Sequence, residues 1–181
     1  MSESLFISGK KRKWLLIVLV VLQFIFLCGL AASYYAIDVF GEEIILETAP
    51  IDPRDIFYGD YVILNYEISR ISQHQITGDA NEARGADIYA VLQPSQDGVY
   101  ELKQAYLDHK PEAAPGEVIL KGRVDYPFFN GVHVKYGLER YYVPEGTGKE
   151  IEEAREGMKV KISVAPWGKA KIKELILPQA G

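Results

Sequence analysis

Residues 14–37 contain no Asp, Glu, Lys, Arg or His, and this run of 24 residues constrains the chain more than any other feature. As an α-helix the run would be about 36 Å long at about 1.5 Å per residue, against a bilayer hydrocarbon core of roughly 30 Å. Trp14 at one end and Tyr34 and Tyr35 at the other suit the two membrane interfaces, where amphipathic rings settle. The run therefore predicts a transmembrane helix over residues 14–37.

Two other interpretations of this run stay open. A cleaved signal peptide has an apolar stretch of about 7 to 15 residues that ends in small residues, and positions 29 and 31–33 would supply small residues. A lipid-modified cysteine is less well supported, because the residues directly before Cys28 are bulky. We interpret Cys28 as a thiol within the membrane.

Basic residues are distributed unequally on the two sides of the run. Four of them, Lys10, Lys11, Arg12 and Lys13, precede it directly, whereas the first basic residue after it is Arg54. Because cytoplasmic flanks of membrane helices are enriched in Lys and Arg, we expect residues 1–13 to be a cytoplasmic N-terminus. We then expect a single-pass protein of the cell membrane, with residues 38–49 forming a stalk and first strand and residues 50–181 an extracytoplasmic domain.

The outer segment is acidic. The chain carries 25 acidic and 20 basic side chains, of which only Glu3 and the four basic residues at 10–13 precede Asp38. Residues 38–181 therefore hold 24 acidic and 16 basic side chains, a net charge of -8. No basic cluster of the kind that binds a phosphate backbone occurs there, so nucleic acid is not an expected partner.

The outer segment also lacks the usual signs of a disulfide or a metal centre. It contains no cysteine, so its stability must come from packing. Its histidines, His74, His109 and His133, are not spaced as zinc or haem ligands. We expect no metal and no cofactor.

Hydrophobic residues in the outer segment alternate with a period of two, which is typical of half-buried strands. In residues 62–68, for example, Val62, Leu64, Tyr66 and Ile68 fall on one face. The strand candidates are 43–48, 62–68, 88–93, 99–106, 118–124, 132–136, 140–143, 158–164 and 170–177. The pattern predicts a mainly β fold, an antiparallel β sandwich or a partly open barrel.

Turn and cap residues separate these candidates. Residues 94–98 and 166–168 contain Pro and Gly between apolar runs and predict short hairpins. Thr147 and Glu150 have the spacing of reciprocal helix caps, and Gly157 follows as a stop, so we expect one short helix over residues 148–156. Residues 69–86 have no sustained apolar pattern and predict a loop or hairpin tip.

The segment 50–66 is dense in charged and aromatic residues. One interpretation is structural: the prolines at 50 and 53 extend the chain, and Asp52, Asp55 or Asp60 accepts backbone amides or pairs with Arg54. The other interpretation places the three aspartates and Arg54 in a cleft that binds a cationic ligand or a metal such as calcium, or performs acid/base chemistry. Their spacing of three and five residues does not follow the every-second-position pattern of a calcium loop, so a metal is not expected.

Residues 59–66 have the sequence GDYVILNY. In this pattern GDY is followed by two residues, a leucine, one further residue and a tyrosine, so that it includes Tyr61 and Tyr66. This pattern resembles the signature of the GDYXXLXY family of membrane-anchored bacterial proteins, and the preceding residues 52–55 and the later residues 136–148 are also similar to that family. The resemblance covers most of the outer segment and the anchor before it. It implies a membrane-anchored bacterial protein of a family without an established activity.

A second dense segment places Glu139, Arg140, Tyr141 and Glu145 close together in the sequence. Successive residues of a strand face opposite ways, so Glu139 and Arg140 cannot share a face of a regular strand. The one that points inward needs a partner, because an unpaired buried charge is costly. We hypothesise that Arg140 pairs with Asp55 or Asp60, either as a structural salt bridge or as part of a ligand site.

Residues 126–131 predict a turn that exposes apolar rings, those of Tyr126, Phe128 and Phe129. Most other tyrosines of the outer segment suit a small β core with the hydroxyl reaching water. An exposed aromatic tip is different, because it invites contact with a partner or with a membrane surface.

We therefore expect a membrane-anchored extracytoplasmic binding or interaction module, accessory to another membrane or envelope protein. Enzymatic activity is less well supported, because no serine or cysteine of the outer segment lies in a recognisable nucleophile motif. The alternative is a carboxylate-dependent envelope hydrolase, with Asp60 acting together with Glu139 or Glu145, or a small-ligand-binding domain.

Overall fold

A single long helix begins the fold in the computed structural model, which describes residues 9–49, 57–58, 61–79, 83–142 and 157–178. The helix α1 spans Gly9–Phe40, so it includes the whole predicted run 14–37 and extends beyond it at both ends. Its apolar side chains are exposed, and it is long and apolar enough to cross a membrane. Gly41 ends it, and the Gly41 amide donates to the Ile37 carbonyl oxygen at 3.0 Å.

The chain divides into two compact units, Met1–Ala36 and Ile37–Gly181. The last turn of α1 belongs to the second unit, where Ile37 is buried and its carbonyl oxygen accepts a hydrogen bond from Ser163 Oγ at 2.9 Å. A stalk and first strand were expected over residues 38–49. In the structure these residues are the last residues of α1, Gly41, the first strand and the two residues that follow it.

The second unit is built from short, mostly antiparallel strands in three sheets. The strands are β1 (Glu42–Glu47), β2 (Phe57–Tyr58), β3 (Tyr61–Ile63), β4 (Arg70–Ser72), β5 (Ile76–Thr77), β6 (Asp87–Pro94), β7 (Tyr100–Leu107), β8 (Val118–Phe128), β9 (Gly131–Lys135), β10 (Arg140–Tyr142), β11 (Lys159–Val164) and β12 (Ala170–Ile176). The sheet orders are β1-β11-β12, β10-β3-β2 and β4-β9-β8-β6-β7-β5. The expected mainly β class is confirmed.

Isolated bridges join the three sheets into a nearly closed barrel. Ile45 of β1 bridges Val99, which leads into β7, and Thr48 bridges Tyr66, which follows β3. The Ala49 amide also donates to the Asn65 carbonyl oxygen at 2.9 Å. Strand β1 therefore contacts the other two sheets along the edge that does not pair with β11.

The barrel has two distinct ends. The near end is the one at which Ile37–Phe40 and the turn 165–168 lie, because Glu42 of β1 pairs with Val164 of β11. The Lys121 amide donates to the Gly168 carbonyl oxygen at 2.8 Å, so β8 starts at the near end. From Lys121 the strand runs about 23 Å, at about 3.3 Å per residue, to its last residue Phe128. The far end therefore contains the β8–β9 turn and the residues that follow β1.

The core follows the predicted alternation. Val62, Leu64, Tyr66 and Ile68 are all buried, as their period of two requires. The regular strand is shorter than predicted, however, because its pairing partner changes: β3 pairs with β10 only to Ile63, and Tyr66 then bridges Thr48. A turn of 3-10 helix, Glu67–Ser69, follows.

The predicted loop at 69–86 is partly wrong. It contains β4 and β5, edge strands of two or three residues in which Ile71 and Ile76 are buried. One buried residue in each strand leaves no periodic signal in the sequence. The predicted hairpin turns at 94–98 and 166–168 are present, with Gly98 and Gly168 at positive φ of 79° and 91°. The predicted helix 148–156 lies outside the described residues.

Candidate functional site

The described six of the eight signature residues, Tyr61 to Tyr66, lie against the second dense segment of the sequence. In the β3–β10 pair Val62 lies opposite Tyr141 and Tyr61 lies opposite Tyr142. The Leu64 amide continues the contact by donating to the Glu139 carbonyl oxygen at 2.9 Å. The two segments singled out in the sequence are therefore neighbours in space.

Two buried tyrosines lock these segments together. The Tyr66 hydroxyl donates to the Leu138 carbonyl oxygen at 2.8 Å, and the Tyr136 hydroxyl donates in the opposite direction to the Ile68 carbonyl oxygen at 2.8 Å. Burial, and secondly the negative charge of Glu139, raises the pKa of both phenols far above the usual value. Both side chains therefore remain neutral donors, and each satisfies a backbone acceptor inside the core.

Glu139 closes the turn between these tyrosines and β10. Its Oε1 accepts the Tyr136 backbone N–H at 2.5 Å, across a turn in which Gly137 has a φ of 78°. The carboxylate thus satisfies a backbone donor, while Arg140 is exposed. The arrangement gives Glu139 a defined structural task.

Arg140 is part of an exposed aromatic ladder. Its guanidinium carbon lies 5.4 Å from the centre of the Tyr61 ring, within the range of a cation–π contact. The Tyr61 and Tyr142 rings are 5.9 Å apart and tilted by 59°. Tyr141, on the opposite face of β10, packs against the core. The cation and two rings therefore face outward together.

Several predicted site residues, Asp52, Arg54, Asp55, Asp60 and Glu145, lie outside the described residues. The hypothesis that Arg140 pairs with Asp55 or Asp60 therefore stays a prediction. Of the predicted network, the structure brings together Tyr61, Tyr66, Glu139, Arg140 and Tyr141.

The predicted turn of residues 126–131 lies at the tip of the β8–β9 hairpin. The Phe129 side chain is fully exposed, and those of Tyr126 and Phe128 are exposed as well. Gly131 is required below the tip, because a Cβ there would come within 2.1 Å of the Ile71 carbonyl oxygen. The hairpin can approach β4 closely only with glycine at this position.

Sequence reasoning missed a groove beside this hairpin. The groove has a volume of about 500 Å³ and is lined by Ala49, Asn65, Tyr66, Glu67, Ser69, Arg70, Tyr126 and His133. The Tyr126 and His133 rings stack in parallel, 4.9 Å apart and 3° from coplanar. Asn65 and Tyr66 of the signature thus lie directly beside a polar surface that the signature itself does not describe.

Among the described residues, no group of three or more His, Cys, Asp or Glu side chains is placed to hold a metal ion. The polar groups of the groove are instead one guanidinium, one imidazole, amide and hydroxyl groups and Glu67. Such a set is suited to binding a small charged group by hydrogen bonds.

Comparison with known families identifies the chain. The model of one family, GDYXXLXY, described as GDYXXLXY protein, matches residues 23–175, which is most of the chain. No curated protein and no solved structure matches.

Proposed function

The chain belongs to the GDYXXLXY family, and we propose that it is a membrane-anchored extracytoplasmic binding module that acts beside another membrane or envelope protein. Helix α1 is the anchor in this proposal, since it is long and apolar enough to span a membrane. The basic residues at 10–13 support a cytoplasmic N-terminus and an outer location of the barrel.

The exposed aromatic tip carries the proposal of binding. Phe129 has no contact that removes its side chain from water, and Phe128 beside it is 40% exposed. Apolar rings at a loop tip do not stabilise the isolated barrel, whereas aromatic side chains contribute strongly to protein interfaces. The tip lies at the opposite end of the barrel from Ile37–Phe40, where the chain enters the unit.

Photo-crosslinking in native membranes tests the binding function. A photoreactive phenylalanine analogue is introduced at Phe129 of the full-length chain, and the matched control carries it at Trp167, an aromatic residue that is 41% exposed in the near-end turn. We expect a discrete crosslinked protein from position 129 and a much weaker one from position 167. Equal capture from both positions, or none from 129, would contradict the proposal.

Labelling of single cysteines tests the orientation. The chain has one cysteine, Cys28, so its replacement by serine gives a background for one reporter at Ser4 and another at Phe129. A membrane-impermeant maleimide applied from outside is expected to label position 129 and not position 4 until the membrane is opened. The reverse pattern would refute the proposed topology.

A further inference from the structure

Arg70 differs from every other cation of the six-stranded sheet. The strands of this sheet carry five Lys and Arg side chains, and four of them pair with carboxylates: Lys103 with Glu117, Lys121 and Arg123 with Asp87, and Lys135 with Asp125. Arg70 is exposed and pairs with no carboxylate among the described residues. Its guanidinium therefore has its hydrogen-bonding capacity available to a ligand.

The register of the sheet places Arg70 in a row with two rings. Arg70 of β4 lies opposite His133 of β9, and His133 lies opposite Tyr126 of β8. Cross-strand neighbours share a face, and this is the outer face because the adjacent residues Ile71 and Val132 are completely buried. The row of guanidinium, imidazole and phenol thus lines one groove.

His133 is held in place without being fully satisfied. Its Nδ1 is buried and has no hydrogen-bond partner among the described residues. The nearest carboxylate oxygen, Asp125 Oδ2, is 3.8 Å away, and the same oxygen is 2.9 Å from Lys135 Nζ. Asp125 is therefore committed mainly to Lys135, and His133 remains a polar group without a strong partner beside Arg70.

We propose that this groove is a carboxylate-binding site, in which Arg70 holds an acidic side chain of the partner and the stacked His133 and Tyr126 rings form the wall. The inference deepens the proposed binding function and rests on it. The planar guanidinium fork fits a carboxylate with two parallel hydrogen bonds. Asn65 and Ser69 line the same groove and offer further polar groups to the ligand.

Glu67 makes a carboxylate a more favourable ligand of the groove than a phosphate. It lines the same groove as Arg70, and both residues also line an adjoining groove together with Glu47 and Glu101, so an incoming anion meets several negative charges beside one fixed positive charge. A phosphate group carries a charge of about -1.5 to -2 at neutral pH, and it is repelled more strongly than a carboxylate of charge -1. The groove therefore favours the singly charged carboxylate.

NMR of the histidine side chains of the full-length protein in nanodiscs tests the site directly. The chain has three histidines, so His133 is assigned by the signal lost in His133→Gln. The probe is N-acetylglutamate amide, and N-acetylglutamine amide is its neutral counterpart. We expect a saturable shift of the His133 signal with the glutamate compound and no shift with the glutamine compound.

Arginine variants make the test specific. Arg70→Gln is expected to weaken binding of the glutamate compound about tenfold or more, and Arg70→Lys to weaken it less. Arg123→Gln is the matched control, because Arg123 is an exposed arginine on the same sheet that already lies near Asp87. We expect Arg123→Gln to bind like the unaltered protein, and Arg70→Gln to retain the melting temperature.

Four outcomes would overturn the site: no shift of the His133 signal, an equal response to the neutral compound, equal losses of binding in Arg70→Gln and Arg123→Gln, or binding of inorganic phosphate as tight as that of the glutamate compound.

The source of the carboxylate is tested by crosslinking from position 129. A lower yield in Arg70→Gln assigns the carboxylate to the partner protein, and an unchanged yield would overturn that assignment. If position 129 captures a partner while the glutamate compound fails to bind, this inference fails and the binding function stands.

Discussion

Asp38 at the near end of the barrel and Arg70 at the far end differ in how they are paired. At the near end Asp38 lies 2.9 Å from Lys171 Nζ and 2.8 Å from Lys173 Nζ, and Lys110 Nζ donates to the Pro166 carbonyl oxygen at 2.6 Å. At the far end Arg70 has no carboxylate partner among the described residues, and Phe129 is fully exposed.

Grooves of similar size sharpen the contrast. The near-end groove, of about 420 Å³, contains Lys110, which donates to the Pro166 carbonyl oxygen, Glu117, which pairs with Lys103, and the exposed Glu112. Hydrogen bonds from the Lys103 ammonium and from the Ala114 amide hold the pKa of Glu117 below its usual value. Size alone therefore does not distinguish the two grooves. What distinguishes them is the exposed guanidinium of Arg70, since the described lining of the near-end groove contains no arginine.

The largest expected effect is on stability and concerns Tyr66, which lines the far-end groove. Tyr66→Ala removes a side chain that is 1% exposed and is expected to lower the free energy of unfolding by about 3–5 kcal/mol. Tyr66→Phe leaves the Leu138 carbonyl oxygen without its donor and is expected to cost about 1–3 kcal/mol. Chemical denaturation measures both, with exposed Tyr142→Phe as a control of nearly zero effect. If Tyr66→Phe leaves the free energy of unfolding unchanged, the hydrogen bond from Tyr66 to the Leu138 carbonyl oxygen is not needed for stability.

Alanine substitutions at two glycines, one at each end of the barrel, are expected to have an intermediate effect on stability. At Gly131 a Cβ would lie 2.1 Å from the Ile71 carbonyl oxygen, and at Gly41 it would lie 2.3 Å from the Ile37 carbonyl oxygen. Alanine at either position is expected to destabilise by about 1–3 kcal/mol.

Only Gly131→Ala should also weaken binding at the far end, because it displaces β4, which carries Arg70. Thermal denaturation and crosslinking yield from position 129 are measured on both variants. Equal losses of binding in the two variants would break the proposed division between the ends.

His133 should make stability depend on pH. Burial is the main cause that lowers its pKa from 6.5, outweighing the opposite effect of Asp125. The folded state therefore prefers the neutral ring, so the unfolded state binds more protons once the pH falls below about 6.5. Stability should decrease from that pH down to the folded-state pKa. Melting temperatures at pH 7.5 and pH 5 should show a larger acid-induced decrease for the unaltered protein than for His133→Gln, and equal decreases would disprove the effect.

The smallest expected effect is at the near end. Asp38→Asn removes the carboxylate shared by Lys171 and Lys173, whose side chains are partly exposed. We expect a slightly lower melting temperature, a difference that shrinks at high salt because such ion pairs are screened. Crosslinking from position 129 should not change. Loss of that capture in Asp38→Asn would mean that the two ends are coupled.

The alternation of apolar residues predicted much of the fold. The burial of Val62, Leu64 and Tyr66 follows directly from a period of two, as do the paired strands on either side of residues 94–98. The aromatic tip was predictable because the turn-forming residues Pro127, Asn130 and Gly131 surround two phenylalanines. Local patterns thus identified the strands and the exposed rings.

The groove was not predictable in the same way. The hydroxyls of Tyr66 and Tyr136 bond to backbone carbonyl oxygens, which every residue has, so no side chain marks the partner in the sequence. Arg70 lies on a three-residue strand, and its availability depends on which carboxylates the fold brings near it. Such properties arise from long-range register and have no local signal.

Hydroxyl-radical footprinting tests the division between the two ends most directly. The full-length protein is modified once in native membranes, with its neighbours present, and once after purification into nanodiscs. We predict that modification of Phe128 and Phe129 is several-fold lower in native membranes, while modification of Trp167 at the near end is the same in both. Equal modification of the far-end rings in the two samples, or protection confined to Trp167, would contradict the account.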